Sequence, residues 1–227
     1  MVTLAELKLE ARQRADMENS EFVSDSELTS YINGSLAELH DLLIAAYCEE
    51  YVMNEYLFNT TPNELKYALP ADFYKLRGVD VKQNVGDGWS TVKRFNFNRR
   101  NQGSNTYAFD LLGLPYLEYR LVGSNILFNR IPSPTTTMRL WYYPKVVKLV
   151  ADTDTFDDVN GYAEYVILDA AIKMKEKEES DVRVLAGQKQ AMKQRIEAMA
   201  QNRDANEPES VSDVYAEESD VVFIGRR

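Results

Sequence analysis

Tyr116-Leu117-Glu118-Tyr119-Arg120-Leu121-Val122-Gly123-Ser124-Asn125-Ile126-Leu127-Phe128-Asn129-Arg130 is the stretch on which the reading of this chain turns. Aromatic and β-branched residues run up to a Gly-Ser pair and resume directly after it. Glycine at the first central position of a two-residue loop is the type II′ preference, so two antiparallel strands joined by a tight turn are expected. Pro132 and Pro134 end the second strand.

Outward from that hairpin the middle of the chain keeps a strand character. Downstream, Met138 to Tyr143 reads as a further strand stopped by Pro144. Upstream, Trp89 to Phe95 reads as one strand, followed by a polar loop from Arg99 to Asn105 and preceded by a Gly86-Asp87-Gly88 turn. Val79 and Val81 mark another strand, Leu65 to Leu69 alternates, and Tyr51, Met53 and Leu57-Phe58 begin the series before the breaker Thr61-Pro62-Asn63. Pro70-Ala71-Asp72-Phe73-Tyr74 predicts a short helix start, with proline at the first helical position and an acid in the first turn.

Both ends of the sequence are helical in period. Thr3-Leu4-Ala5-Glu6 is a capping box with Val2 and Leu7 placed as a hydrophobic staple; Ser24 to Glu27 repeats it with Val23 and Leu28. Leu28, Tyr31, Ile32, Leu36, Leu39, Leu42, Leu43, Ala46 and Tyr47 then form one stripe of a long helix. After Asn160 a stripe of Ala163, Val166, Ile167, Ala170, Ala171 and Met174 is followed, past Glu178-Glu179-Ser180, by Val182, Leu185, Met192, Ile196 and Met199. Ser180 is the expected N-cap of that last helix. The fold class expected is α+β. N-terminal helices (1–49) and a C-terminal helical hairpin (151–203) make a helical bundle core, with a small antiparallel β module (50–150) inserted between them. An extended acidic C-terminal tail (204–227) follows.

Composition narrows the function classes. The 227 residues are 44% hydrophobic, enough for a real core, and Tyr outnumbers Phe and Trp together. The formal charge of −10, with no Lys/Arg run, lacks the footprint of a tight nucleic-acid binder. A single cysteine, Cys48 on a helical stripe, permits no internal disulfide and no cysteine-rich zinc site. The N-terminus is charged and amphipathic, and no apolar run approaches the ~20 residues of a membrane span. A soluble chain made in a reducing compartment is expected.

The search for chemistry returns no catalytic, cofactor-binding or metal residues. His40 is the sole histidine, and Cys48 lies two helical turns from it, too far for contact. Gly-rich phosphate loops, a nucleophile elbow and an H-E-x-x-H zinc motif are all missing. Asp152, Asp154, Asp157 and Asp158 miss the spacing of a calcium loop, since Phe156 would hold a ligand position; they read as a polar connector that caps the next helix. Carboxylate pairs for glycan hydrolysis could be drawn from Glu164, Asp169, Glu176, Glu178, Glu179 or Asp181, but nothing in the sequence selects one. The strongest functional candidate is the tip Val221-Val222-Phe223-Ile224: four apolar residues on an acidic tether, a composition suited to strand addition or insertion into a partner groove.

Several segments in order resemble the head-to-tail adaptor (connector) proteins of tailed phages. Tyr67-Ala68-Leu69-Pro70-Ala71-Asp72-Phe73-Tyr74-Lys75-Leu76 resembles their L-P-x-D-F stretch, and Leu140-Trp141-Tyr142-Tyr143-Pro144 with Asp152-Thr153-Asp154-Thr155 resembles their last strand and acidic connector. Tyr162 to Val166 with Lys177 to Asp181 is similar to their C-terminal helix pair, and Ser24 to Leu28 with Tyr31-Ile32-Asn33 to their opening helix. The likeness covers roughly residues 20–215. It implies a homo-oligomeric ring, usually of twelve copies, docked on the portal protein in the virion neck, facing tail or nozzle proteins, and assembled in the host cytoplasm. Genomic DNA would pass the lumen without tight binding, no membrane would be involved, and Val221, Val222, Phe223 and Ile224 would be the portal contact. A carboxylate-based cell-wall glycan hydrolase, or another neck protein such as a stopper or tail-completion protein, is the alternative.

Overall fold

The computed structural model describes residues 1–46, 52–82, 88–99, 117–130 and 136–200. Their architecture is mixed α+β, with four helices and largely antiparallel sheets.

The N-terminal half of the helical region forms for local reasons. Thr3 caps α1 (Leu4–Arg14): its hydroxyl accepts from the Glu6 N–H at 3.2 Å while the Glu6 carboxylate accepts from the Thr3 N–H at 2.8 Å. Ser24 caps α2 (Asp25–Ala45) through the Glu27 N–H. Leu28, Ile32, Leu36 and Leu39 line the buried face of α2, each stabilising the fold by about 1.5–3 kcal/mol relative to exposure. They meet Leu4, Leu7 and Ala11 of α1, the apolar face of α3 (Ala163–Lys177), and Met192 and Ile196 of α4 (Arg183–Ala200) in one cluster. A two-residue ladder that periodicity does not reveal ties the start of the chain to this region: β1 (Val2–Thr3) pairs with β10 (Thr155–Phe156).

Two four-stranded sheets hold the rest. One has the order β2 (Asn54–Asn59), β9 (Thr137–Pro144), β4 (Phe73–Lys82), β5 (Ser90–Thr91). The other runs β3 (Lys66–Ala68), β8 (Asn125–Phe128), β7 (Glu118–Val122), β6 (Lys93–Arg94). Val79, Val81, Met138 and Leu140 of the first sheet share one buried cluster with Tyr67, Ile126 and Phe128 of the second. The expected hairpin is present: Val122 pairs with Asn125 across Gly123, whose φ of 59° is the left-handed conformation that glycine adopts without strain.

Four local expectations are corrected. Pro70 to Tyr74 starts no helix: the Phe73 N–H closes a turn on the Pro70 carbonyl, and Phe73 opens β4. The gain of a ten-residue strand paired along β9 outweighs a local capping preference. Trp89 to Phe95 is not one strand but two short ones in different sheets, because the Val92 side chain is buried and its N–H is taken by the Val79 carbonyl at 2.8 Å. β6 then lies parallel to β7, the one departure from antiparallel pairing among the described ladders.

Ser180 does not cap α4. Its N–H reaches the Lys175 carbonyl at 3.0 Å while Glu179 sits at φ 61°, so both residues belong to a Schellman closure of α3, and Asp181 accepts the Arg183 N–H instead. The same closure ends α1 at Asp16, φ 55°. Met199, expected on the apolar stripe, is exposed. Tyr47, Cys48, the Gly86-Asp87 turn, most of the 99–105 loop, Pro132 and Pro134, and the 204–227 tail lie outside the described residues.

Candidate assembly surfaces

Three polar constellations are built on this frame. The most enclosed centres on Asp169, a carboxylate in the middle of the apolar face of α3 and only 4% exposed. Its Oδ2 accepts from Ser35 Oγ of α2 and from Lys173 Nζ, both at 2.6 Å; its Oδ1 accepts from Lys189 Nζ of α4, also at 2.6 Å. Glu38 meets the same two ammonium groups at 3.0 and 3.5 Å. Lys189 also lies over the Tyr165 ring, 5.1 Å from its centroid.

Burial acts against ionisation of Asp169, yet the bonds from Lys173, Lys189 and Ser35 outweigh it and hold the carboxyl below its ordinary range. Burial likewise opposes the Lys189 charge and is overcome by Asp169 and Glu38, which push that ammonium up. The arrangement joins three helices through one shared carboxylate.

The second constellation lies on the first sheet. Asp80 of β4 accepts from Arg139 Nε at 3.1 Å, from the Arg139 terminal nitrogen at 2.8 Å and from Trp141 Nε1 at 2.9 Å. The guanidinium lies over two indoles, 4.1 Å from the Trp89 ring centroid and 4.6 Å from that of Trp141. These are the two tryptophans of the chain. Arg139 and Trp141 alternate with the buried Met138 and Leu140, so they occupy the face of β9 turned away from the second sheet.

The third joins the helical and β regions. Residue steps in the β4–β9 register leave Tyr74 as an extra residue between Phe73 and Lys75, a bulge that re-aims its side chain. The phenol donates to Asp41 of α2 at 2.7 Å and meets the His40 ring edge-on at 5.9 Å. Burial lowers the His40 pKa, against the opposing pull of Asp41. His40 is therefore a half-buried ring packed at a junction between α2 and β4.

Three of the four connector aspartates perform separate tasks. Asp158 accepts the Ala163 N–H at the start of α3, Asp154 accepts from Val150 and Ala151, and Asp152 pairs with Lys8. Among the described residues no group of three or more His, Cys, Asp or Glu is placed to hold a metal, and no helix is long and apolar enough to cross a membrane. Val221, Val222, Phe223 and Ile224 lie outside the described residues. Sequence reading passed over Asp169 as one acid among many; its signal was an aspartate inside an apolar stripe with lysine four residues on.

No curated protein matches the chain. The family model described as SU10 adaptor protein matches residues 2–212, a span that takes in all three constellations and stops short of the apolar tip. With a match that runs through every described helix and strand, this chain belongs to the SU10 adaptor protein family, a family of phage head-to-tail adaptors.

Proposed function

We propose that the protein is a structural head-to-tail adaptor that closes into a ring of twelve copies, docks beneath the portal and joins capsid to tail in the virion neck. Membership of the adaptor family over residues 2–212 is the observation that carries this reading. The protein acts by position and transforms no molecule. Ring closure multiplies weak contacts between copies, and a heterologous interface closes only when its rotation fits. A net charge of −10 favours a lumen through which packaged DNA slides without adhering. Assembly takes place in the host cytoplasm, before the neck is complete.

Within that ring the helices of 1–49 and the helical hairpin of 151–203 form the bundle core, and the β module of 50–150 faces neighbouring copies or tail and nozzle proteins. The tail of 204–227 reaches the portal, where Val221, Val222, Phe223 and Ile224 bury apolar surface at about 25 cal/mol per Å². Its support is chemical: a four-residue apolar tip on an acidic tether. Electron microscopy of the full chain mixed with isolated portal is expected to reveal a ring beneath it; a bare portal sinks the adaptor reading. Deleting residues 215–227 is expected to abolish docking while far-UV circular dichroism stays unchanged. Docking that survives the deletion removes the role of the tip and leaves the ring.

A further inference from the structure

The face of the first sheet turned away from the second carries both tryptophans, each half-buried, with the Arg139 guanidinium over their rings. Leu57 lies opposite Arg139 in the β2–β9 register and is 51% exposed. Lys82, two residues beyond Asp80 on β4, holds its ammonium 5.8 Å from the Trp89 ring centroid. Glu55 and Asp80 are acids of this face, and Asp80 is already bonded to Arg139 and Trp141. Tryptophan and arginine in a set pose beside an exposed leucine is the composition of an interface centre.

α1 presents a complement. Glu6, Leu9, Glu10 and Gln13 fall at i, i+3, i+4 and i+7, one stripe of the helix, and all four are exposed, Leu9 by 55%. The three basic residues of α1 are engaged within the chain: Lys8 with Asp152 at 2.6 Å, Arg12 with Asp25 at 2.8 Å and Arg14 with Glu164 at 2.7 Å. The stripe is thus an exposed leucine set between two carboxylates. The chain divides its charge in the same sense, since residues 1–49 hold three Lys or Arg against ten Asp or Glu, and residues 50–150 hold thirteen against eight.

The two surfaces belong to opposite ends of α2. α1 meets the start of that helix, where Arg12 pairs with Asp25, and the sheet meets its far end, where Tyr74 donates to Asp41. Sixteen residues, about 24 Å of helix axis, separate Asp25 from Asp41. One copy therefore holds its two surfaces apart. We propose that they meet between copies: the Trp89–Arg139–Trp141 face of one copy docks on the Glu6–Leu9–Glu10 stripe of α1 in the next. Leu9 would pack on the indoles and Leu57, and Lys82 would face the α1 carboxylates. Two different surfaces in contact make a heterologous interface, which repeats from copy to copy and closes only when its rotation fits. The opposite charge of the two regions steers copies into that head-to-tail order and opposes the like-to-like one. The contact rests on the ring reading for its closure and supplies that reading with an interface.

Tryptophan emission of the full-length free chain reads this contact directly, because both tryptophans sit in it. As protein concentration rises, sedimentation velocity is expected to show association with a matching blue shift. Lys82→Glu and Glu10→Lys are each expected to raise the concentration required about tenfold, with far-UV circular dichroism unchanged. An equimolar mixture of the two variants is expected to recover the wild-type midpoint, since every contact in an alternating array then pairs a cation with an anion. Unimpaired association of either lone variant overturns the proposal, as does a mixture no better than its components. Association with unmoved emission, or a wild-type chain that stays monomeric up to millimolar concentration, overturns it too. Electron microscopy with isolated portal is scored separately. A ring that both lone variants build as well as the wild type keeps the ring reading and removes this contact; a bare portal beside charge-reversible association does the opposite.

Discussion

Asp169 and Asp80 make the most instructive pair in the molecule. Each is a shielded carboxylate that accepts three or more hydrogen bonds and faces positive charge. Asp169 gathers its donors from three helices, with Ser35 lying 134 residues away in sequence, and is enclosed by apolar side chains. Asp80 draws on the neighbouring strand β9, and its partners lie on an outer sheet face. The first node fixes how helices meet. The second holds an arginine and two indoles in a set pose on a surface, the composition that dominates binding energy at protein interfaces.

The difference can be tested by matched deletions. Asp169→Ala strands Lys173 and Lys189 against one another in a partly closed site and is expected to cost about 3–5 kcal/mol in chemical denaturation. A loss under ~1 kcal/mol would mean that Glu38 alone satisfies both lysines. Asp80→Ala is expected to cost less, about 1.5–3 kcal/mol, since it removes charged hydrogen bonds while Arg139 keeps its indole stacking and access to water. If the two losses reverse in order, the contrast between an enclosed and a surface node is wrong.

The smallest effect concerns order and not size. A carboxyl whose folded pKa is depressed stabilises the fold above its unfolded value, near 3.8 for Asp169, and loses that contribution as pH falls through the folded value. Both tryptophans lie in the β region, so their emission reports that region while far-UV circular dichroism is weighted to the helices. Acid titration below about pH 4 is expected to reduce the helical signal before tryptophan emission shifts. Coincident curves would show one cooperative unit.

Much of this was readable without coordinates because it is local. Thr3 and Ser24 announce their helices through a cap that spans four residues, and Gly123 announces its hairpin through a backbone conformation that other residues avoid. The apolar stripes of α2 and α3 follow from period alone. Helix ends were less legible, since Asp16 and Glu179 occupy positions where glycine is the usual signal.

By itself, then, the sequence determined the elements whose stability is decided within a few residues: caps, stripes and the tight turn. Only the tertiary structure decided the rest. Residues 73–82 became a strand because β9 offered a partner some sixty residues away, the run from Trp89 to Phe95 was divided because two sheets competed for it, and one aspartate among many became a hub because two lysines and a serine converge on it. Pairing and burial of charge depend on what arrives from elsewhere in the chain, and no local pattern encodes that arrival.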